Sequence, residues 1–153
     1  MSVKLDDIDL GILRLLQKDA NLSIDTISER VALSRNACWR RIKQYEEVGL
    51  IQQRVALLDA DQLNLSLVVM VMIRAASHGK EWMDQFHRVI CHMPEVVGAY
   101  RMTGDLDYIL RVRVSDIAAY DRFYKTLTER IEIGDVSASF VMEELKEGTE
   151  LPI

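Results

Sequence analysis

Apolar residues along this chain recur first at helical spacing and then, past residue 64, in short continuous runs. Ile8, Ile12, Leu15 and Leu16 mark one face of a helix beginning near Asp6, with Asp7 and Asp9 in a first turn that favours negative charge. Ser23 caps a second helix, where Ile24, Ile27 and Val31 continue the stripe. Leu33 fills the corner before a third helix, which Ser34 caps and which runs from Arg35 to about Val48 before stopping at Gly49. The inward positions of that helix are Ala37, Cys38, Ile42 and Tyr45. Residues 50–57 read as a short hairpin or wing, the module ends near Leu58, and residues 59–64 form a polar linker. The spacing thus predicts one domain over residues 1–58 and a second over 65–153.

The second half has a different rhythm. Residues 65–73 are almost uninterruptedly apolar, as in a strand buried on both faces. Residues 80–93 form an amphipathic helix with Trp82, Phe86, Val89, Ile90 and Met93 on one face, ended by Pro94. Residues 96–103 and 108–114 are strands joined by the turn-forming Gly104-Asp105-Leu106-Asp107. Ser115 or Asp116 caps a helix with Ile117, Tyr120, Tyr124, Leu127 and Ile131 on one face, and residues 136–142 form the last strand. Strand, helix, strand, strand, helix, strand is the split βαβ order of a ferredoxin-like sandwich. Such a sheet carries both helices on one face. Since Leu67, Val68, Val69, Met70, Val71 and Met72 offer apolar side chains to both faces, the bare face is expected to associate, giving a dimer.

Charge alters this picture locally. The 153 residues carry a net charge of −5, which argues against a nucleic-acid partner. The deficit lies wholly beyond residue 60, because residues 1–60 hold nine Lys/Arg and nine Asp/Glu. From Ser34 to Lys43 there are four bases and no acid, and it is the local field that matters within a screening length of about 10 Å. No apolar run approaches the roughly 20 residues that span a bilayer. The opening MSVKLDDIDL lacks the basic-then-apolar order of a signal peptide, so a cytoplasmic protein is expected. Cys38 and Cys91, far apart and without a spacing motif, read as two small buried hydrophobes rather than a disulfide.

A short cationic helix held by a three-helix core suits the DNA major groove. Arg35, Asn36 and Arg40 are the candidates for base edges, since arginine pairs with guanine and asparagine with adenine. Trp39 and Lys43 suit sugar and phosphate, with Ser34 at the turn. Gln52, Gln53 and Arg54 are placed to reach the backbone or minor groove. Arg41 lies beside the inward stripe, and either clamps a phosphate or pairs with Glu29 or Glu46. Rival readings are weaker. No Gly-x-Gly-x-x-Gly, phosphate loop or Gly-x-Ser-x-Gly elbow supports an enzyme, and no cofactor is expected. A metal- or redox-sensing regulator would use His87 and Cys91, one helical turn apart with His92 following, but three ligands on one helix make a poor site. A purely structural assembly protein would not need Arg35, Arg40 and Lys43 on one acid-free helix.

These residues resemble the Lrp/AsnC family of transcription regulators over nearly the whole length. The likeness is carried by Leu5-Asp6, Asp9, Ile12-Leu13, Leu33-Ser34, Arg41, Glu46 and Gly49-Leu50-Ile51. In the second half it is carried by Met93-Pro94-Glu95-Val96, Gly104-Asp105-Leu106-Asp107-Tyr108 and Phe123-Tyr124. The chain departs from the pattern at Ala32, where the family often has glycine, at Gln53-Arg54 for Gly-Tyr, and at Ala60 and Asn64 for proline and glycine. Cys38-Trp39 and the Thr149–Ile153 ending resemble members that sense cysteine or other small amino acids. The resemblance implies an α+β architecture, an N-terminal winged helix-turn-helix followed by a ferredoxin-like βαββαβ effector and oligomerisation domain. It also implies double-stranded DNA as partner, dimers assembling to tetramers or octamers, and an amino-acid effector bound between dimers.

The implied effector pocket surrounds the loop from Met102 through Thr103, Gly104, Asp105 and Asp107 to Tyr108, with residues of the last strand. The chemistry agrees. Asp105 or Asp107 suits the ligand's ammonium; backbone N–H groups near Gly104, with the Ser137 and Ser139 hydroxyls on one strand face, suit its carboxylate.

Overall fold

A computed structural model of the chain describes residues 4–153. Met1, Ser2 and Val3, the start of the opening segment in which no signal peptide is expected, lie outside the described residues. The elements are α1 (Asp7–Lys18), α2 (Ile24–Arg30), α3 (Arg35–Glu47), β1 (Leu67–Ala75), α4 (Lys80–Cys91), β2 (Val96–Arg101), β3 (Tyr108–Val114), α5 (Ile117–Arg130) and β4 (Ile133–Phe140). They divide into two compact units: the chain up to Leu57 together with Lys146–Ile153, and Leu58–Leu145. The last eight residues therefore pack with the helical unit and not with the second domain over residues 65–153 that the spacing predicts.

Caps set the three helices of the first unit. Asp6 accepts from the Asp9 N–H at 2.7 Å while Asp9 accepts from the Asp6 N–H at 2.9 Å, a reciprocal box that fixes the start of α1. Ser23 and Ser34 cap α2 and α3 through the N–H groups of Thr26 and Ala37. Ile12, Ile27 and Cys38 are fully buried, with Leu13, Ile42 and Tyr45 around them. Ile8, Leu15 and Leu16, expected to form the buried face of α1, flank this core half-buried instead. The turn into α3 places Ala32 at φ +53°, in the left-handed region, which accounts for a position that elsewhere favours glycine.

The hairpin expected after Gly49 does not form: residues 52–58 are exposed and pair with no strand. Gln52-Gln53 offers no residue suited to the positive φ that a two-residue hairpin turn requires. The added segment docks on α1, where the Gln17 side chain accepts from the Leu151 N–H at 2.6 Å and donates to its carbonyl at 3.2 Å. Arg14 Nε donates to the Ile153 carbonyl at 2.6 Å.

In the second unit the strands form an antiparallel sheet in the order β2-β3-β1-β4. Val69, Val71 and Ile73 of β1 and Leu110, Val112 and Val114 of β3 share the face covered by α4 and α5, whose Phe86, Ile90, Phe123 and Leu127 complete the core. Two expectations fail on α5. Ile117, at the first helical position, is exposed, and Phe123, not assigned to the buried stripe, is 2 % exposed at the core's centre. The opposite face carries Met70, Met72, Ile109 and Tyr100, with Ser137 and Ser139 beside Met72 and Met70. On that face Val68 lies opposite Arg113, whose guanidinium bonds Glu144 at 2.8 Å. Cys91 is also corrected: at the last position of α4 it is exposed, with its Sγ 3.5 Å from His87 Nε2. Within the polar linker, residues 60–64 form a turn; Asp59 accepts from the N–H groups of Asp61 and Gln62, and Asn64 adopts φ +56°.

Candidate nucleic-acid interface

The inward and outward residues of α3 separate cleanly. Cys38, Ile42 and Tyr45 enter the core, while Ser34, Arg35, Asn36, Trp39, Arg40 and Lys43 are exposed. The Cys38 thiol is pushed up by burial, partly opposed by Arg41, and is enclosed by the three helices. Trp39 is 53 % exposed, an indole left in solvent beside Arg40.

Arg41 belongs to neither of the two groups proposed for it. Its position three after Cys38 and four before Tyr45 puts it on the inward side, and its guanidinium bonds Asp6 at 2.8 Å and also Asp9. Tyr45 donates its hydroxyl to the same Asp9 carboxylate. Burial opposes ionisation of Asp9, but hydrogen bonds from Tyr45, the Asp6 main chain and Arg41 outweigh it and hold the carboxyl at about 2. The Tyr45 hydroxyl is pushed up by burial and by Asp9, and Arg41 is held charged by Asp9 and Asp6. This clamp ties α1 to α3 and engages Arg41 with carboxylates, not with Glu29, Glu46 or a free surface.

The other cations divide as well. Arg35 Nε lies 3.3 Å from Asp25 of α2. Lys43 Nζ and Arg54 lie 3.0 and 3.2 Å from the two oxygens of Glu46, whose pKa is lowered chiefly by Lys43. Arg54 also donates to the Ala20 carbonyl at 3.1 Å, so it folds back on the helical unit and does not extend from a wing. Arg40 and Asn36 make no side-chain hydrogen bond or ion pair among the described residues, which leaves Arg40 as an uncommitted cation on this helix.

The expected effector residues do not converge within one chain. Tyr108 lies on the helix-covered face, 4.5 Å from the Phe86 ring centroid and 6.1 Å from that of Trp82. Ser137 and Ser139 lie on the opposite face, and β1 and β3 separate β4 from β2. Asp107 accepts from the Ala75 N–H at 2.8 Å, with His78 Nδ1 at 3.7 Å, so it closes the loop onto β1. Its N–H bonds the Ile73 carbonyl and its own carbonyl accepts from Met102 N–H. Met102, Thr103, Gly104 and Asp105 form the exposed tip, where Gly104 has φ +102°. Two depressions, of about 460 and 700 Å³, lie elsewhere, one at Ser66 and Ser115–Ala118 and one along α4 at Lys80, Asp84 and Arg88. Beside the second, His92 Nδ1 is 2.7 Å from the Arg88 carbonyl, and no cluster of three potential metal ligands exists among the described residues.

Residues 5–52 match the family model for winged helix-turn-helix DNA-binding domains, and residues 68–151 match the Lrp/AsnC ligand binding domain. The chain belongs to the Lrp/AsnC family. The glutamate uptake regulatory protein of Zymomonas mobilis is 49 % identical over 150 residues, covering 98 % of this chain and 92 % of the relative. An AsnC family transcriptional regulator from Agrobacterium tumefaciens superposes with a TM-score of 0.94 at 52 % identity, over 97 % of each chain. A transcriptional regulator of Neisseria meningitidis in complex with L-Met gives 0.93 at 35 % identity, again over 97 % of each chain. This Lrp/AsnC protein is therefore a DNA-binding transcriptional regulator with an α+β fold, and the metal- or redox-sensing alternative is not favoured. No helix among the described residues is long and apolar enough to cross a membrane.

Proposed function

We propose that this regulator reads its operator with the exposed face of α3, from Arg35 to Lys43. Arg35, Asn36 and Arg40 contact base edges, while Trp39 and Lys43 contact sugar and phosphate. The observation that carries this reading is the exposed trio Asn36, Trp39 and Arg40, none of which has a partner among the described residues although each stands on a helix capped by Ser34. Arg54 and Arg41 are secondary: one is bonded to Glu46 and Ala20, the other to Asp6 and Asp9.

A free small amino acid is the proposed effector. The family and a relative solved with L-Met support that reading, and the exposed loop tip with Asp105 supplies an acceptor for an ammonium group. Because the loop and the β4 serines lie apart within one chain, the site requires another copy. The apolar Met70, Met72, Ile109 and Tyr100 face supplies the dimer contact, and dimers join further around the loops. Such a regulator works in the cytoplasm, on genes of amino-acid metabolism or transport.

The test is selection of duplexes from a random pool by the full chain, followed by footprinting with each of the twenty amino acids. A recovered palindromic sequence whose footprint or assembly shifts with one amino acid is expected. Recovery of no sequence would overturn the reader assignment, and indifference to all twenty would overturn the effector assignment.

A further inference from the structure

Asp25 and Glu46 remain unexplained by the packing of the helical unit. Both lie at its surface, and exposed ion pairs contribute little to folding. Glu46 is placed against local helix physics. It sits in the last turn of α3, where the helix dipole disfavours negative charge, and its partner Lys43 precedes it, the weaker order for such a pair. What the two carboxylates do share is a set of cations: Asp25 holds Arg35, and Glu46 holds Lys43 and Arg54 with one oxygen each. Among the described residues, Arg40 is the exposed α3 cation without such a partner.

Sequence-blind affinity for DNA comes from cations neutralising phosphates. A cation already paired with a carboxylate gains little by exchanging it for a phosphate, and the carboxylate so released then faces a polyanion. A guanine edge, with two acceptors in the plane of an arginine, offers directional bonds that a random phosphate does not. We propose that Asp25 and Glu46 are positioning residues for specificity: Glu46 holds Lys43 and Arg54 so that they reach phosphate only in the fully docked operator complex and not in loose backbone contact, and Asp25 holds Arg35 in place for a base edge. This rests on the assignment of α3 as the reader.

The experiment compares wild type with Asp25→Asn, Glu46→Gln and the double variant, each nearly isosteric. Affinities are measured over a range of salt for a duplex selected by wild type and for an unrelated duplex of equal length. The unrelated duplex should bind about three- to tenfold more tightly to the variants, with a log–log salt slope steeper by about 1 for each cation released. The selected duplex should change far less, so the ratio between the two falls. In an Arg35→Ala background, Asp25→Asn should have no further effect on that ratio. Unchanged ratios and slopes, or an Asp25→Asn effect that persists without Arg35, would overturn the inference while leaving the reader in place. Failure of wild type to distinguish any duplex would overturn both.

Discussion

The two units solve the same problem of burying enough apolar surface in different ways. Among the described residues the core cluster of the sheet unit holds twelve buried apolar residues, with Phe123, Leu127, Ile73 and Leu110 at the centre and no polar group among them. The core cluster described in the helical unit holds six, and sets beside them a buried carboxylate, Asp9, held by Tyr45 and Arg41. Small cores are marginal because little of their surface is buried, so a satisfied polar clamp carries a larger share of their order. The difference has a functional side: the unit that presents Arg40 depends on a few charged contacts, and the unit that offers a sheet face depends on packing.

The comparison is broken most severely by attacking each unit at its own support. Phe123→Ala removes a ring with no solvent contact to replace it, and should cost the sheet unit about 3–5 kcal/mol. Asp9→Ala leaves Arg41 and Tyr45 without their shared acceptor, and should cost the helical unit about 2–4 kcal/mol. Hydrogen exchange resolved by segment checks both: protection should collapse in β1 and β3 for the first variant and in α1 and α3 for the second. Equal loss in both units from either variant would erase the distinction.

Acid should separate the units next. The Asp9 carboxyl is depressed from 3.8 to about 2 in the folded chain, so its contribution is full above the ordinary value and disappears as pH falls through the lower one. The helical unit should lose protection over that interval before the sheet core does, whose buried residues do not titrate. Hydrogen exchange or fluorescence of Trp39 against Trp82 across the same range measures this, and simultaneous loss would contradict it.

The smallest effect runs the other way. Ala32 occupies the left-handed region at φ +53°, so Ala32→Gly should stabilise the helical unit by about 0.5–1 kcal/mol, read as a rise in its melting temperature. A fall would mean that the turn is not strained.

Most of the architecture was legible in the sequence because helical and strand periodicities dominate where one face is buried. Ser23, Ser34 and Asp116 mark their caps, and Cys38, Ile42 and Tyr45 mark the inward stripe of α3. The exposure of Ile117 was not legible because periodicity gives a face but not which end of a helix overhangs the sheet, whereas Phe123, three after Tyr120 and four before Leu127, shares the buried stripe with them. Cys91 is exposed although cysteine as a residue type favours burial, because its place at the last position of α4 faces solvent. The ion pairs were the least legible. Asp6, Asp9 and Arg41 are joined across more than thirty residues of chain, and only the place of Arg41 on the inward stripe hinted that a carboxylate waits there. The residues expected to hold an effector share a loop and a strand in sequence, yet strand parity turns Tyr108 away from Ser137 and Ser139.

The central claim is that α3 reads DNA through an arginine the fold leaves free. It is tested most directly by the affinity of Arg40→Ala for a duplex selected by wild type, measured beside its melting curve and oligomeric state. The account predicts loss of preference for that duplex over an unrelated one, with melting and assembly unchanged. Wild-type discrimination retained by Arg40→Ala would contradict it.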